Sequence, residues 1–244
     1  MTAGALLQVE GLCRRFGGLK AVEGLSLTLP RGQVLGLLGP NGSGKSTALN
    51  LISGVLKPDR GSVKLGGREV AGQPSFELAR RGVARTFQLV KTFVNMTARE
   101  NVAAGMAFAG PRRFGASARQ GVEDLLARVG LSERADTVAS KLTYIDQKRL
   151  ELARALASQP QVLLLDEWLA GLNPTELQDA IGLLKSVRAD GVSILMVEHV
   201  LDAVRSLCDR CVVMNAGMPL AEGTPNEVLT HPEVVRAYLG SEDA

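Results

Sequence analysis

Two kinds of hydrophobic pattern run along the chain. Near the N-terminus apolar and polar positions alternate. Leu7-Gln8-Val9-Glu10, Leu25-Ser26-Leu27-Thr28-Leu29 and Val63-Lys64-Leu65 each place apolar side chains on one face only. That pattern predicts strands of an antiparallel sheet with one wet face. Val34 to Leu38, Val162 to Leu165 and Ile194 to Val197 are apolar throughout, as strands covered on both faces are, and predict a buried, mostly parallel sheet. Helical spacing follows the buried strands: Leu177, Ile181, Leu184 and Val187 share one stripe, and Val122, Leu125, Leu126 and Val129 another. Buried strands alternating with helices define an α/β protein whose ligands sit at the strand carboxyl ends. From about Leu89 to Ser158 there is helical spacing and no convincing strand, so this block reads as a helical insertion. The Pro-Gly punctuation between Gly105 and Gly115 reads as a loop within it.

Composition narrows the class. With 45% hydrophobic residues and a net charge of +3, the 244-residue chain is too apolar and too weakly charged for disorder. Its length suits one domain or a core with a subdomain. No apolar run approaches the roughly 18 residues of a membrane span, and residues 1–11 have neither a charged start nor a long apolar stretch, which predicts a cytoplasmic protein. Cys208 and Cys211 have C-x-x-C spacing, but no second ligand pair follows and only two histidines exist. They read as packing thiols rather than a zinc site. Arginine pairs are scattered and aromatics make up only 4%, so no nucleic-acid groove is predicted.

The strongest chemical signal follows the buried strand Val34 to Leu38. Gly39-Pro40-Asn41-Gly42-Ser43-Gly44-Lys45-Ser46-Thr47 matches G-x-x-x-x-G-K-[ST] and leads into an amphipathic stretch through Ile52. Strand, glycine loop and helix together make a phosphate cradle: the glycines let successive N–H groups turn inward at a helix N-terminus. Lys45 would reach the β- and γ-phosphates, Ser46 would hold Mg2+, and Thr47 would add a phosphate hydrogen bond. Leu163-Leu164-Leu165-Asp166-Glu167 supplies a second part. Asp166, ending a buried strand beside the cradle, is placed to hold Mg2+ through water, and Glu167 to act as general base on the attacking water. An Asp-Glu pair after an apolar strand is by itself often only a turn; the cradle gives this pair its meaning.

With these segments in order, the chain resembles the ATP-binding-cassette ATPases. Thr86-Phe87-Gln88 resembles that family's Q-loop, Leu142 to Gln147 its signature, Ala170-Gly171-Leu172-Asn173 its D-loop, and Glu198-His199 its switch histidine. The resemblance implies a P-loop NTPase (RecA-like) fold: a mostly parallel sheet, an N-terminal antiparallel β subdomain and an inserted helical subdomain. Residues 1–88 and 159–244 would form the core, and 89–158 the helical part. It further implies ATP and Mg2+ as ligands, Gln88 contacting the metal and the water, His199 as switch, Phe16 stacking on adenine, and Thr143 donating its hydroxyl and capping the signature helix. Ala84 to Gln88, Gly171 to Pro174, Val197 to His199 and Ala237 to Gly240 are similar to the importers of branched-chain amino acids; relatives of that type also serve urea, amides and aromatic acids. The implied partners are a second cassette (the same chain or a different one), membrane permease subunits and, indirectly, a periplasmic or extracellular solute-binding protein, with the chain peripheral on the inner face of the membrane. A DNA- or ribosome-acting ATPase of the superfamily would carry coiled-coil insertions or a second cassette, and a small-molecule kinase would lack the signature, Q-loop and switch order.

Two residues depart from that pattern. Ile145 stands where the signature has its second glycine, which lets the backbone approach the γ-phosphate bound by the opposite subunit. A β-branched side chain there crowds the nucleotide unless it points away. Strong crowding would leave a nucleotide-binding scaffold with weak hydrolysis beside an active partner. Trp168 replaces the proline that usually follows the glutamate. An indole there would shift Glu167 or the following D-loop, or equally pack outward against a partner.

Overall fold

The computed structural model describes residues 4–108 and 115–239. The alternating segments become a hairpin of β1 (Ala5–Phe16) and β2 (Leu19–Pro30), with Leu7, Val9, Leu25, Leu27 and Leu29 buried. The chain then enters β3 (Val34–Leu38), all five residues buried, and α1 (Lys45–Ile52). It continues through β4 (Arg60–Leu65), β5 (Arg68–Glu69), α2 (Ser75–Arg80) and β6 (Val83–Arg85). The helical stretch holds α3 (Ala98–Phe108), α4 (Ala116–Arg128), two short 3-10 turns and α5 (Tyr144–Ala157). Then follow β7 (Val162–Asp166), α6 (Pro174–Ala189), β8 (Ser193–Val197), α7 (Leu201–Leu207), β9 (Arg210–Asn215), β10 (Met218–Gly223), α8 (Pro225–Thr230) and α9 (Pro232–Leu239).

Two sheets result. The smaller has the order β2-β1-β4-β5 and is antiparallel; the larger has the order β10-β9-β3-β8-β7-β6, parallel except for the β9–β10 edge pair. Because strand side chains alternate, each buried strand feeds two cores. Leu35, Leu37, Leu164 and Leu195 pack toward the small sheet and α1, whereas Val34, Leu163, Ile194 and Met196 pack toward α6 and α7. That double coverage is why these strands are apolar at every position. A third core, with Val102, Val122, Leu126 and Leu150, lies among α3, α4 and α5. No helix among the described residues is long and apolar enough to cross a membrane.

Several elements differ from the sequence reading. β6 is three residues long and too short to show a period, and β9, whose Cys211-Val212-Val213-Met214 run is fully buried, sits next to β3 in the centre. Gly105 is not in a loop but inside α3, where an added Cβ would lie 2.6 Å from the Arg154 carbonyl oxygen. Its small size lets α3 and α5 approach closely. Residues 109–114 of the expected loop fall outside the described residues. The signature helix α5 starts at Tyr144 with Thr143 as its N-cap. Cys208 and Cys211 are buried free thiols as read, packed on Gly36, where an added Cβ would come within 3.0 and 3.1 Å of the two sulfurs.

Candidate nucleotide site

The cradle is shaped by backbone that only glycine tolerates. Gly39 has φ +144, and an added Cβ would lie 2.1 Å from the Met214 carbonyl oxygen; Gly44 has φ +99, with Ala21 O at 2.2 Å. β9 and β2 therefore press on the loop from two sides. The loop is closed by Ser43 N donating to Pro40 O (3.2 Å) and Gly217 N donating to Ser43 O (3.1 Å). Gly39 N donates to the Tyr238 hydroxyl at 2.8 Å. α1 starts at Lys45 with Gly44 as N-cap and no side-chain cap, which leaves its first amides to another acceptor. Lys45 is 5% exposed and folds back, donating from Nζ to Gly39 O and Pro40 O at 2.8 Å each. Burial lowers its pKa, and the Glu167 and Asp166 carboxylates oppose that shift. In front lies a cavity of about 450 Å³, lined by Asn41 to Thr47 with Phe16, Gln88 and Glu167. Phe16 is 43% exposed there, with the Arg14 guanidinium 5.0 Å from its ring.

Asp166 ends β7, buried, with Oδ2 accepting from Arg85 Nη2 at 2.8 Å and Oδ1 without a partner. Arg85, on β6, also donates to Asn50 Oδ1 (2.7 Å) and Ser53 Oγ (2.8 Å), so it ties Asp166 to α1. A buried carboxylate oxygen with no donor, beside a lysine and an uncapped helix, suits a cation and a polyanion together. The residues present fit a magnesium–nucleotide complex.

Glu167 occupies positive φ, +50, rare for a residue with a side chain. Its carboxylate accepts from Gln88 Nε2 at 2.7 Å and pairs with His199 Nε2 at 3.0 Å. Gln88, Glu167 and His199, read from three separate segments, meet here; Gln88 and Glu167 line the cavity and His199 reaches it through Glu167. Thr143 does not join them. It caps α5, its Oγ1 accepting from Asp146 N at 3.3 Å, while the Asp146 carboxylate pairs with Arg149 instead of completing a reciprocal box. Asn173 of the D-loop segment caps α6 in a full box with Glu176. Trp168 does not pack outward: it is 1% exposed, and its Nε1 donates to Lys148 O at 3.2 Å.

The sequence reading missed Arg85 and Tyr238 as residues that shape the site. The available signal for Arg85 was a charge on a strand that pairs with a buried one, since a buried charge requires partners.

A glycine cradle between a central strand and its helix, with an acidic strand end beside it, defines a P-loop nucleoside-triphosphate-binding protein. The family model described as ABC transporter matches residues 22–170, and one described as branched-chain amino acid ATP-binding cassette transporter matches residues 219–244. The chain is 42% identical to the high-affinity branched-chain amino acid transport ATP-binding protein BraF of Pseudomonas aeruginosa, covering 96% of this chain and 98% of that one. It is 43% identical to LivG, the protein of the same description in Salmonella typhimurium, with the same coverage. The solved ADP conformation of MJ1267, an ATP-binding cassette of an ABC transporter, superposes with TM-score 0.89 at 32% identity, covering 97% of this chain and 99% of that one. The chain belongs to the ATP-binding cassette transporter family. It is an ATPase whose hydrolysis of ATP is coupled to transport.

Proposed function

We propose that this cassette powers uptake of branched-chain amino acids or a related amino-acid or amide solute, through the site formed by Lys45, Gln88, Asp166, Glu167 and His199. The observation that carries the mechanism is the convergence of Gln88 and His199 on the Glu167 carboxylate in front of the cradle. The solute class is supported by the names of the relatives and by the family model at residues 219–244.

In this reading Phe16 stacks on adenine, and the amides of Asn41, Gly42 and Gly44 to Thr47 wrap the phosphates, while the N–H groups of Gly39 and Ser43 close the loop on Tyr238 and Pro40. Lys45 neutralises the β- and γ-phosphates as the transition state forms, a role for preorganised charge. Ser46, Gln88 and, through water, Asp166 would hold Mg2+; the unpartnered Asp166 Oδ1 supports that place. When bound, Mg2+ supplies positive charge against the phosphate oxygens. Glu167 takes a proton from water as the water oxygen bonds to the γ-phosphorus and the bond to ADP breaks; His199 and Gln88 orient the carboxylate. Glu167→Gln should bind ATP with turnover reduced at least a hundredfold. Ordinary turnover in that variant removes Glu167 as base.

The cassette works as a dimer with a second cassette, on the cytoplasmic face of a membrane complex with permease subunits, fed from outside by a solute-binding protein, and without nucleic acid. One solved relative, the ATP-binding cassette MJ0796, is dimeric in a post-hydrolysis state bound to ADP and Pi. Residues 89–158 act as the helical unit that passes motion to the permease. A groove of about 550 Å³ beside that unit, with Phe76, Phe93 and Val55 half-exposed around it, is offered to a cytoplasmic permease segment. Thr143 lies outside the cavity of its own chain, so its hydroxyl serves the partner's nucleotide. Ile145, half-buried in the first turn of α5, hinders that approach. Ile145→Gly should raise ATPase turnover of the assembled transporter about tenfold, equivalent to about 1.4 kcal/mol of barrier. Unchanged turnover assigns Ile145 no such effect. Leucine uptake into vesicles holding the complex, absent in Lys45→Ala, tests the solute class.

A further inference from the structure

The four residues from Glu167 to Ala170 are held by buried groups from two other elements. Glu167 N donates to Val197 O at 2.9 Å, and Ala170 N donates back to Glu167 O at 3.2 Å. Lys148 Nζ, from α5, donates to Trp168 O at 2.9 Å and to Ala170 O at 2.7 Å. Leu169 N donates to the Glu198 carboxylate, one residue past β8, at 2.7 Å. The Trp168 indole returns a hydrogen bond to Lys148 O, so Lys148 and Trp168 grip each other in both directions. Lys148 and Glu198 are 2% and 1% exposed, and their hydrogen bonds go to the backbone groups of this turn. Glu198 Oε2 has no partner.

Holding two separate charges in a core is expensive, and well-packed apolar residues there would serve stability at least as well. The charges do something apolar groups cannot: they fix successive peptide groups in orientation. The residue they flank needs it, because Glu167 sits at φ +50, a conformation that persists only where its surroundings over-determine it.

We propose that Lys148, Glu198 and Trp168 are positioning residues for hydrolysis, locking the Trp168–Ala170 peptide groups to the start of α5 so that the Glu167 turn and the signature segment move as one body. The inference rests on Glu167 being the base, and the set of variants separates the two ideas. None of the three residues lines the cavity in front of Lys45, so loosening the lock should change turnover and leave ATP binding alone.

The test is made on the assembled transporter, with kcat and ATP affinity measured separately. Lys148→Met should lower kcat at least tenfold with ATP affinity within about twofold, and Lys148→Arg, which keeps a buried donor, should recover most of the rate. Trp168→Phe, which keeps the packing and removes only the N–H donor, should lower kcat about threefold to fivefold. Trp168 is the sole tryptophan, so its emission in the full chain reports the lock directly. Acrylamide quenching should rise at least twofold in Lys148→Met and stay near wild type in Lys148→Arg. Should Lys148→Met fail to fold, Trp168→Phe decides. A kcat within a factor of two of wild type in whichever variant folds, or a parallel loss of kcat and ATP affinity, overturns the proposal. Normal turnover in Glu167→Gln would overturn the base assignment instead.

Discussion

Glu198 is a carboxyl group enclosed by protein, and desolvation pushes its pKa up to about 7 against the weaker opposing pull of the Leu169 N–H and the Lys148 ammonium. A folded pKa above the unfolded value means that the native state binds the extra proton. Below the unfolded value of 4.5 both states are protonated and Glu198 costs nothing. Between 4.5 and about 7 the unfolded chain ionises first, so stability falls as pH rises, and above that range the loss is constant. At about 1.4 kcal/mol for each pH unit, the full penalty is about 3 kcal/mol. Glu198→Gln keeps the acceptor for Leu169 N and removes the charge. It should gain up to that amount over wild type at about pH 8 and little at about pH 4, read by urea unfolding. Equal gains at both pH values would locate the effect outside this titration. Residues of this kind divide by legibility. Lys45, Asp166 and Glu167 declare their chemistry because a motif and its spacing are local. Gln88 and His199 were legible only through family resemblance. Arg85 and Tyr238 were not legible as site residues, since their partners lie far off in sequence: Asn50 at 35 residues and Gly39 at 199.

Elements with a long, single-purpose pattern were the readable ones. β3, β7 and β8 were visible as apolar runs because both faces are covered, and α6 because its stripe packs on one side of the large sheet. β9 was hidden by ending in a turn at Ala216-Gly217 and starting at an exposed Arg210, which breaks the run at both ends. Gly105 shows the opposite error, a residue type read as punctuation where it serves contact. Two effects compete in Gly105→Ala. Better helix propensity gains about 1 kcal/mol, while a methyl group 2.6 Å from Arg154 O and 2.8 Å from Arg154 Cγ forces α3 away from α5 at about 1–3 kcal/mol. The overlap is with backbone, which yields least, so the variant should lower the urea midpoint. A raised midpoint would show that α3 and α5 separate freely.

At the scale of the whole molecule, the groove around Phe76 and Phe93 and the cavity around Lys45 share no lining residue. Binding to the permease and binding to nucleotide should therefore be separable. Phe76→Asp with Phe93→Asp should abolish co-purification with the permease and leave the ATP dissociation constant within about twofold. Continued co-purification would place the contact elsewhere. The two-sheet architecture was readable from sequence, but not the way the cradle sits against both sheets, because those contacts are made by carbonyl oxygens rather than side chains. Gly39 abuts Met214 in the large sheet, and Gly44 abuts Ala21 in the small one. The phosphate cradle is thus a seam: its curvature exists only while the two sheets are seated. A triphosphate in that seam acts as a rivet, and a substitution that unseats the hairpin far from any phosphate would surface in an assay as weakened ATP affinity rather than as a folding defect.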